Sequence, residues 1–148
     1  MKLAFGSDHA GFDLRRVLEA WATAQGHEIA SLGAESAEPY DYPDAADAVA
    51  LELLRNHGVI GVLVCGTGIG VSIRANRYDH IRAANCCSTK MAELARLHNH
   101  ANVLCLGSRT TEPNEAVSIL STFLSTSEDR DERHTRRVLK LDSPRPSC

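Results

Sequence analysis

Residues 63–72 read Leu-Val-Cys-Gly-Thr-Gly-Ile-Gly-Val-Ser. An apolar run ends in Cys65, and Gly66, Gly68 and Gly70 follow at alternate positions with Thr67 between the first two. Glycines leave backbone N–H groups unobstructed. A loop of this kind opening onto a helix forms a nest that stabilises negative charge on a phosphate, a carboxylate or an enolate. The same field favours the thiolate of a neighbouring cysteine, which could then act as a base or a nucleophile. The competing reading of Cys65 is a buried strand-end residue packed as a small hydrophobe. Residue identity removes three other loops. A dinucleotide fingerprint needs glycine where Val71 stands, and an acidic residue near Asn85-Cys86-Cys87. A Walker loop needs lysine where Thr67 stands, and no Gly-x-Ser-x-Gly elbow occurs.

Other side chains fit the same kind of site. His9 follows Asp8 at the end of the first apolar run. His98-Asn99-His100 closes a helical stretch, where histidine either complements the helix dipole or titrates near neutral pH. Arg133 and Arg137 lie four apart and share a helix face, a spacing at which two guanidinium forks can clamp one phosphate. The alternative is a solvated face balanced by Glu128, Asp129, Asp131 and Glu132. His27, His57 and His80 adjoin turns and read as solvated. No His-Glu-x-x-His spacing suggests a metal. The five cysteines lack Cys-x-x-Cys spacing, which argues against a disulfide framework or a zinc site and for free thiols in a cytoplasmic protein. Cys86, Cys87 and Cys105 sit in apolar runs and read as small hydrophobes.

The elements that must hold these residues alternate. Strands are expected at Lys2–Gly6, Glu28–Leu32, Val59–Cys65, Arg82–Cys86 and Asn102–Gly107. Helices are expected first where Phe12, Val17, Leu18 and Trp21 recur at steps of about three or four until Gly26, and then at about Asp44–Asn56, from the glycine loop to about Asn76, Ser88–His98, Glu112–Leu124 and Arg133–Leu141. Residues 34–43 read as a polar loop, residues 125–133 as a linker and residues 143–148 as a frayed tail. Such alternation predicts one α/β domain over 1–148: a parallel sheet covered by helices on both faces, with a C-terminal helical arm. Ligands of such sheets bind outside the carboxyl ends of the strands, so Asp8-His9, Cys65 with its loop and Gly107-Ser108-Arg109 should converge on one rim.

Composition narrows the class. The chain has 148 residues, 43% hydrophobic and 24% charged, with a formal net charge of -3. Neither a nucleic acid nor an anionic membrane is implied as partner. No run of about 18 apolar residues occurs. The first residues read as a strand rather than a signal peptide.

Taken in order, Gly6-Ser-Asp-His-Ala-Gly-Phe12, Asp41-Tyr-Pro43, Cys65-Gly-Thr-Gly-Ile-Gly70, Ile81-Arg-Ala83, His98-Asn99, Asn102-Val-Leu104, Gly107-Ser-Arg109 and Arg133-His-x-x-Arg137 resemble the type B ribose-5-phosphate isomerases. That family includes allose-6-phosphate and galactose-6-phosphate isomerases. The resemblance implies a Rossmann-like α/β/α sandwich with a five-stranded parallel sheet. It implies homodimers or tetramers with active sites between subunits, and aldose–ketose isomerisation of a sugar phosphate without metal or organic cofactor. It assigns Cys65 as base, Thr67 to the hydroxyl proton, and the N–H groups of Gly66, Gly68 and Gly70 to the anion hole. His98 opens the sugar ring with Asp8 beside it. Tyr42 and Asn99 contact sugar, and His9, Arg109, Arg133 and Arg137 hold phosphate. His134 adjoins the substrate. The alternatives are a six-carbon sugar 6-phosphate as substrate, a non-catalytic sugar-phosphate-binding subunit, and a flavodoxin-like flavin binder. The last would need a hydroxyl-rich loop where Ser7-Asp8-His9 stands.

Overall fold

The computed structural model describes residues 1–143. The expected tail therefore lies outside the described residues beyond Ser143. Strands β1 (Lys2–Ser7), β2 (Glu28–Gly33), β3 (Ile60–Cys65), β4 (Ala83–Asn85) and β5 (Val103–Gly107) form one sheet in the order β2-β1-β3-β5-β4. Every pairing is parallel. Helices α1 (Phe12–Ala24), α2 (Tyr42–Arg55), α3 (Ile69–Ala75), α4 (Thr89–Asn99), α5 (Pro113–Ser125) and α6 (Glu132–Leu141) complete the described residues.

Alternation along the strands sorts the core into two layers. Leu3, Phe5, Val62, Val64, Leu104 and Leu106 face α1, α4 and α5, where Leu18, Ala92, Ile119, Leu120 and Phe123 meet them. Ala4, Leu63, Cys65, Val103 and Cys105 face α2 and α3, against Val49, Ala50, Val71 and Ala75. β3 is apolar on both faces because both are covered. The chain moves from β1 to β2 on one side and β3 on the other, so strand order reverses between β1 and β3. A crevice opens at such a point beyond the carboxyl ends.

Several local expectations are corrected. α1 turns Leu14, Arg15, Leu18 and Ala22 inward, while Val17 is exposed. The buried residue that pattern reading passes over is Arg15, whose guanidinium donates to the carbonyls of Leu32 and Ala34. α2 starts at Tyr42 rather than Asp44, because Pro43 lies in the first turn, where its missing N–H costs nothing. His80 is not simply solvated: its Nε2 lies 2.9 Å from the Ala50 carbonyl oxygen. β4 stops at Asn85, which leaves Cys87 exposed with its Sγ 3.3 Å from Met91 Sδ. Ser88 does cap α4, its hydroxyl accepting from Met91 N–H. The outer edge of β4 is closed by Asn76, whose amide donates to Ala83 O and accepts from Ala83 N, each at 2.9 Å. No described helix is long and apolar enough to cross a membrane.

Candidate active site

The carboxyl ends of β1, β3 and β5 do converge. Ser108 N–H donates to Cys65 O at 2.8 Å, Arg109 N–H to Gly66 O at 3.0 Å, and the Ser108 hydroxyl to Ala10 O at 2.8 Å. Three strand-end loops are thereby bonded to one another. Asp8 is buried and accepts the Gly11 N–H at 2.8 Å, which closes a turn ahead of α1. His9 is exposed, with Nδ1 accepting from Tyr40 N–H at 3.2 Å, so Nε2 points away from that bond.

The glycine loop is shaped around Cys65. The thiol is 5% exposed, and Gly68 N–H donates to its Sγ at 3.2 Å. Gly68 adopts φ +77, and an added Cβ there would lie 2.3 Å from Asn85 Oδ1. At Gly70 the added atom would lie 2.8 Å from the Tyr42 ring, so the absent side chain lets that ring sit on the loop. Arg109 reaches back over Gly66. Thr67 and Tyr42 are exposed at the mouth. α3 is seven residues long, so the loop's own N–H groups, rather than a long macrodipole, supply the donor field. Burial pushes Cys86 up to about 11 and Cys105 well above the usual thiol range.

The second cluster lies elsewhere. α4 leaves β4 at its carboxyl end and runs back along the sheet for eleven residues, about 16 Å of helix. His98 and Asn99 therefore sit near the amino ends of the strands. α6 packs there on α4. His134 stacks on His98 with ring centroids 4.3 Å apart and planes 2° from parallel. Around them, Asp129 N–H donates to Leu97 O at 3.1 Å, and Arg82 holds Asp142 with two bonds of 3.1 and 3.0 Å. Arg133 and Arg137 are exposed on α6. A cavity of about 510 Å³ opens beside Asn99, Arg82 and Leu141. Burial, the His98 ring and Arg133 hold the His134 imidazole below its usual range, against the pull of Asp129 and Asp131.

One chain thus brings together Asp8, His9, Tyr42, Cys65, Gly66, Thr67, Gly68, Gly70 and Arg109 at one end of the sheet. It brings together His98, Asn99, Arg133, His134 and Arg137 at the other. Asp8 is not beside His98 within a chain. Two contributors were missed in the sequence. Asn85 donates to Thr67 O at 3.4 Å and underlies Gly68, and the Tyr40 backbone holds His9. Their only sequence signal was their place in a strand end and a polar loop.

The ribose/galactose isomerase family model matches residues 3–141. Ribose-5-phosphate isomerase B of Escherichia coli K12 is 40% identical, with 93% of this chain and 91% of that protein covered. The probable ribose-5-phosphate isomerase B of Mycoplasma pneumoniae is 39% identical over 91% and 89% of the two chains. The crystal structure of a ribose 5-phosphate isomerase from Thermotoga maritima superposes with a TM-score of 0.92 at 46% identity, covering 95% of this chain and 97% of that one. Type B ribose 5-phosphate isomerase of Trypanosoma brucei gives 0.91 at 43% identity, covering 95% and 96%.

Proposed function

Because the chain belongs to the ribose/galactose isomerase family, we propose that it interconverts ribose 5-phosphate and ribulose 5-phosphate through an enediolate, at sites shared between two copies. The observation that carries this reading is the thiol of Cys65 under the Gly68 N–H, in a glycine loop with Thr67 and Tyr42 exposed at its mouth.

The chemistry needs a base at C2 and stabilisation of the oxygen charge that builds as the proton leaves. The Cys65 thiolate takes the proton from C2 and returns it at C1. The N–H groups of Gly66 and Gly70 hold the enediolate oxygens, and Gly68 N–H, which meets Cys65 Sγ in the free enzyme, turns to them as the sulfur takes up the proton and loses its charge, so the interaction strengthens in the transition state. Thr67, exposed beside them, carries the hydroxyl proton between O1 and O2. The furanose must first open, and His98 supplies the acid and base for that step. His9, Arg109, Arg133 and Arg137 hold the phosphate, and Tyr42 and Asn99 the sugar.

These roles fall on two clusters separated by the length of the sheet, more than a five-carbon sugar phosphate spans. A two-fold pair solves this. The rim of one copy meets the amino-end cluster of the other, and the symmetry makes two such sites. Asp8 of one copy then stands beside His98 of the second. Exposed Ile69 and Ile73 on α3, Met91 on α4, and Leu139 and Leu141 on α6 support an apolar face for that partner.

The test is turnover of ribose 5-phosphate by the purified protein and by Cys65→Ala, with EDTA present. Activity in the first and a loss of 100-fold or more in the second, about the size of a general-base contribution, is expected. Equal turnover in both would overturn Cys65 as base. Turnover of allose or galactose 6-phosphate alone would move the assignment to a six-carbon substrate.

A further inference from the structure

His134 is the polar side chain that α6 buries. It is 5% exposed, while its neighbour Arg133 and, one turn on, Arg137 face outward. Besides the stack on His98, it has one close polar contact among the described residues: Arg133 Nε donates to His134 Nε2 at 3.2 Å. A guanidinium N–H can only donate. Nε2 must therefore carry a lone pair, and the ring is the neutral tautomer with its proton on Nδ1. The surrounding groups fit this. From α4 the ring meets His98. From the linker Asp129 Oδ2 stands 3.8 Å away, too far to bond, and Asp131 Oδ1 accepts the Arg133 backbone N–H at 2.9 Å and lies 3.5 Å from Arg133 Nε, so that carboxylate serves the arginine from the other side and not the imidazole.

We propose that His134 is a positioning residue rather than a substrate contact: its ring fixes His98 by stacking and fixes Arg133 by accepting from Nε. This deepens the isomerase reading and rests on it, since His98 and Arg133 have roles only in that site. The consequence is geometric. Arg133 is 63% exposed, and an exposed arginine otherwise samples many rotamers. With Nε tied back, both Nη groups face outward as a fork set for phosphate oxygens. The His98 ring, pressed by a parallel ring, is held at one angle for proton transfer to the sugar ring oxygen. One buried imidazole sets the ring-opening group and the phosphate group as a unit.

Two variants separate the functions. His134→Phe keeps a flat ring and loses the acceptor. His134→Gln keeps an acceptor at the Nε2 position and loses the ring. For His134→Phe the expected result is a rise of about tenfold in KM for ribose 5-phosphate and in the inhibition constant of inorganic phosphate, with kcat held within about twofold. That is the size expected for a lost hydrogen bond to a charged group. For His134→Gln, kcat on ribose 5-phosphate should fall about tenfold. Solvent exchange of the C1 proton of ribulose 5-phosphate, which has no furanose to open, should stay unchanged. A purely structural role would move both reactions together, and that result would overturn the proposal, as would an unchanged phosphate constant in His134→Phe. If either variant fails to fold, nitrogen NMR of the wild-type histidines decides: a proton on Nδ1 of His134 at neutral pH supports the proposal, and a proton on Nε2 overturns it. The spectrum requires no turnover, so it separates failure of this proposal from failure of the isomerase reading, which wild-type activity reports.

Discussion

Replacing Gly68 by alanine adds one methyl group to the loop, and the structure says what that group would meet. The residue has φ +77, where a Cβ costs about 1–2 kcal/mol in any setting. The new atom would also lie 2.3 Å from Asn85 Oδ1 and 3.0 Å from the Leu106 carbonyl carbon. Relieving that overlap adds about 1–3 kcal/mol, so Gly68→Ala should lose roughly 2–5 kcal/mol of stability. Gly58→Ala is the internal control. It has φ +81 but nothing among the described residues within 4 Å of its Cβ, so it should lose only the backbone part, about 1–2 kcal/mol. The loop in Gly68→Ala must shift, and the N–H that meets Cys65 Sγ at 3.2 Å shifts with it. Loss of one preorganised donor lowers kcat about 10²–10³-fold. Urea unfolding of both variants and steady-state isomerisation at a temperature where both are folded provide the assay. Equal destabilisation of the two variants would refute the contact argument. Wild-type kcat in folded Gly68→Ala would refute the loop as the oxyanion donor.

Arg137→Ala should raise KM for ribose 5-phosphate about tenfold or more with little change in kcat, as expected of a charge-assisted phosphate contact; an unchanged KM would remove α6 from the site. Phe123, fully buried between α5 and the sheet, should lose about 3–5 kcal/mol on truncation to alanine, read as a lower urea midpoint. Acid should weaken the fold through His134. Its imidazole is held below 6.5 in the folded chain by burial first, then by His98 and Arg133. The unfolded chain therefore takes up the proton first, so this contribution is complete above about pH 6.5 and is lost as pH falls below it. Urea midpoints at pH 7.5 and 5.5 should differ less in His134→Phe than in the wild type, and equal differences would contradict the assignment.

The order of strands and helices was legible because apolar runs switch period at turn residues, and β3 in particular reads as buried on both faces. The rim was legible too, since strand-end motifs of a parallel sheet must share an edge. Boundaries were less so. Pro43 looks like a loop residue until it proves to be the second residue of α2. The inward face of α1 was only partly legible because Arg15 is buried for its bonds to two carbonyls, a reason no hydropathy pattern carries. The division of the site between two ends of the sheet could not be read from spacing alone. His98 follows Cys65 by 33 positions whichever way α4 runs. Its direction comes from the parallel topology, which returns each helix to the opposite end.

The central claim is that two copies build each site, and mixing two inactive variants tests it directly. Cys65→Ala retains the amino-end cluster, and His98→Ala retains the rim. In a freely exchanged equal mixture, half of the pairs are mixed, and each mixed pair holds one intact site. Activity should recover to about one quarter of the wild type. No recovery, with exchange verified by native mass measurement, would mean that each chain works alone and that the shared site is wrong.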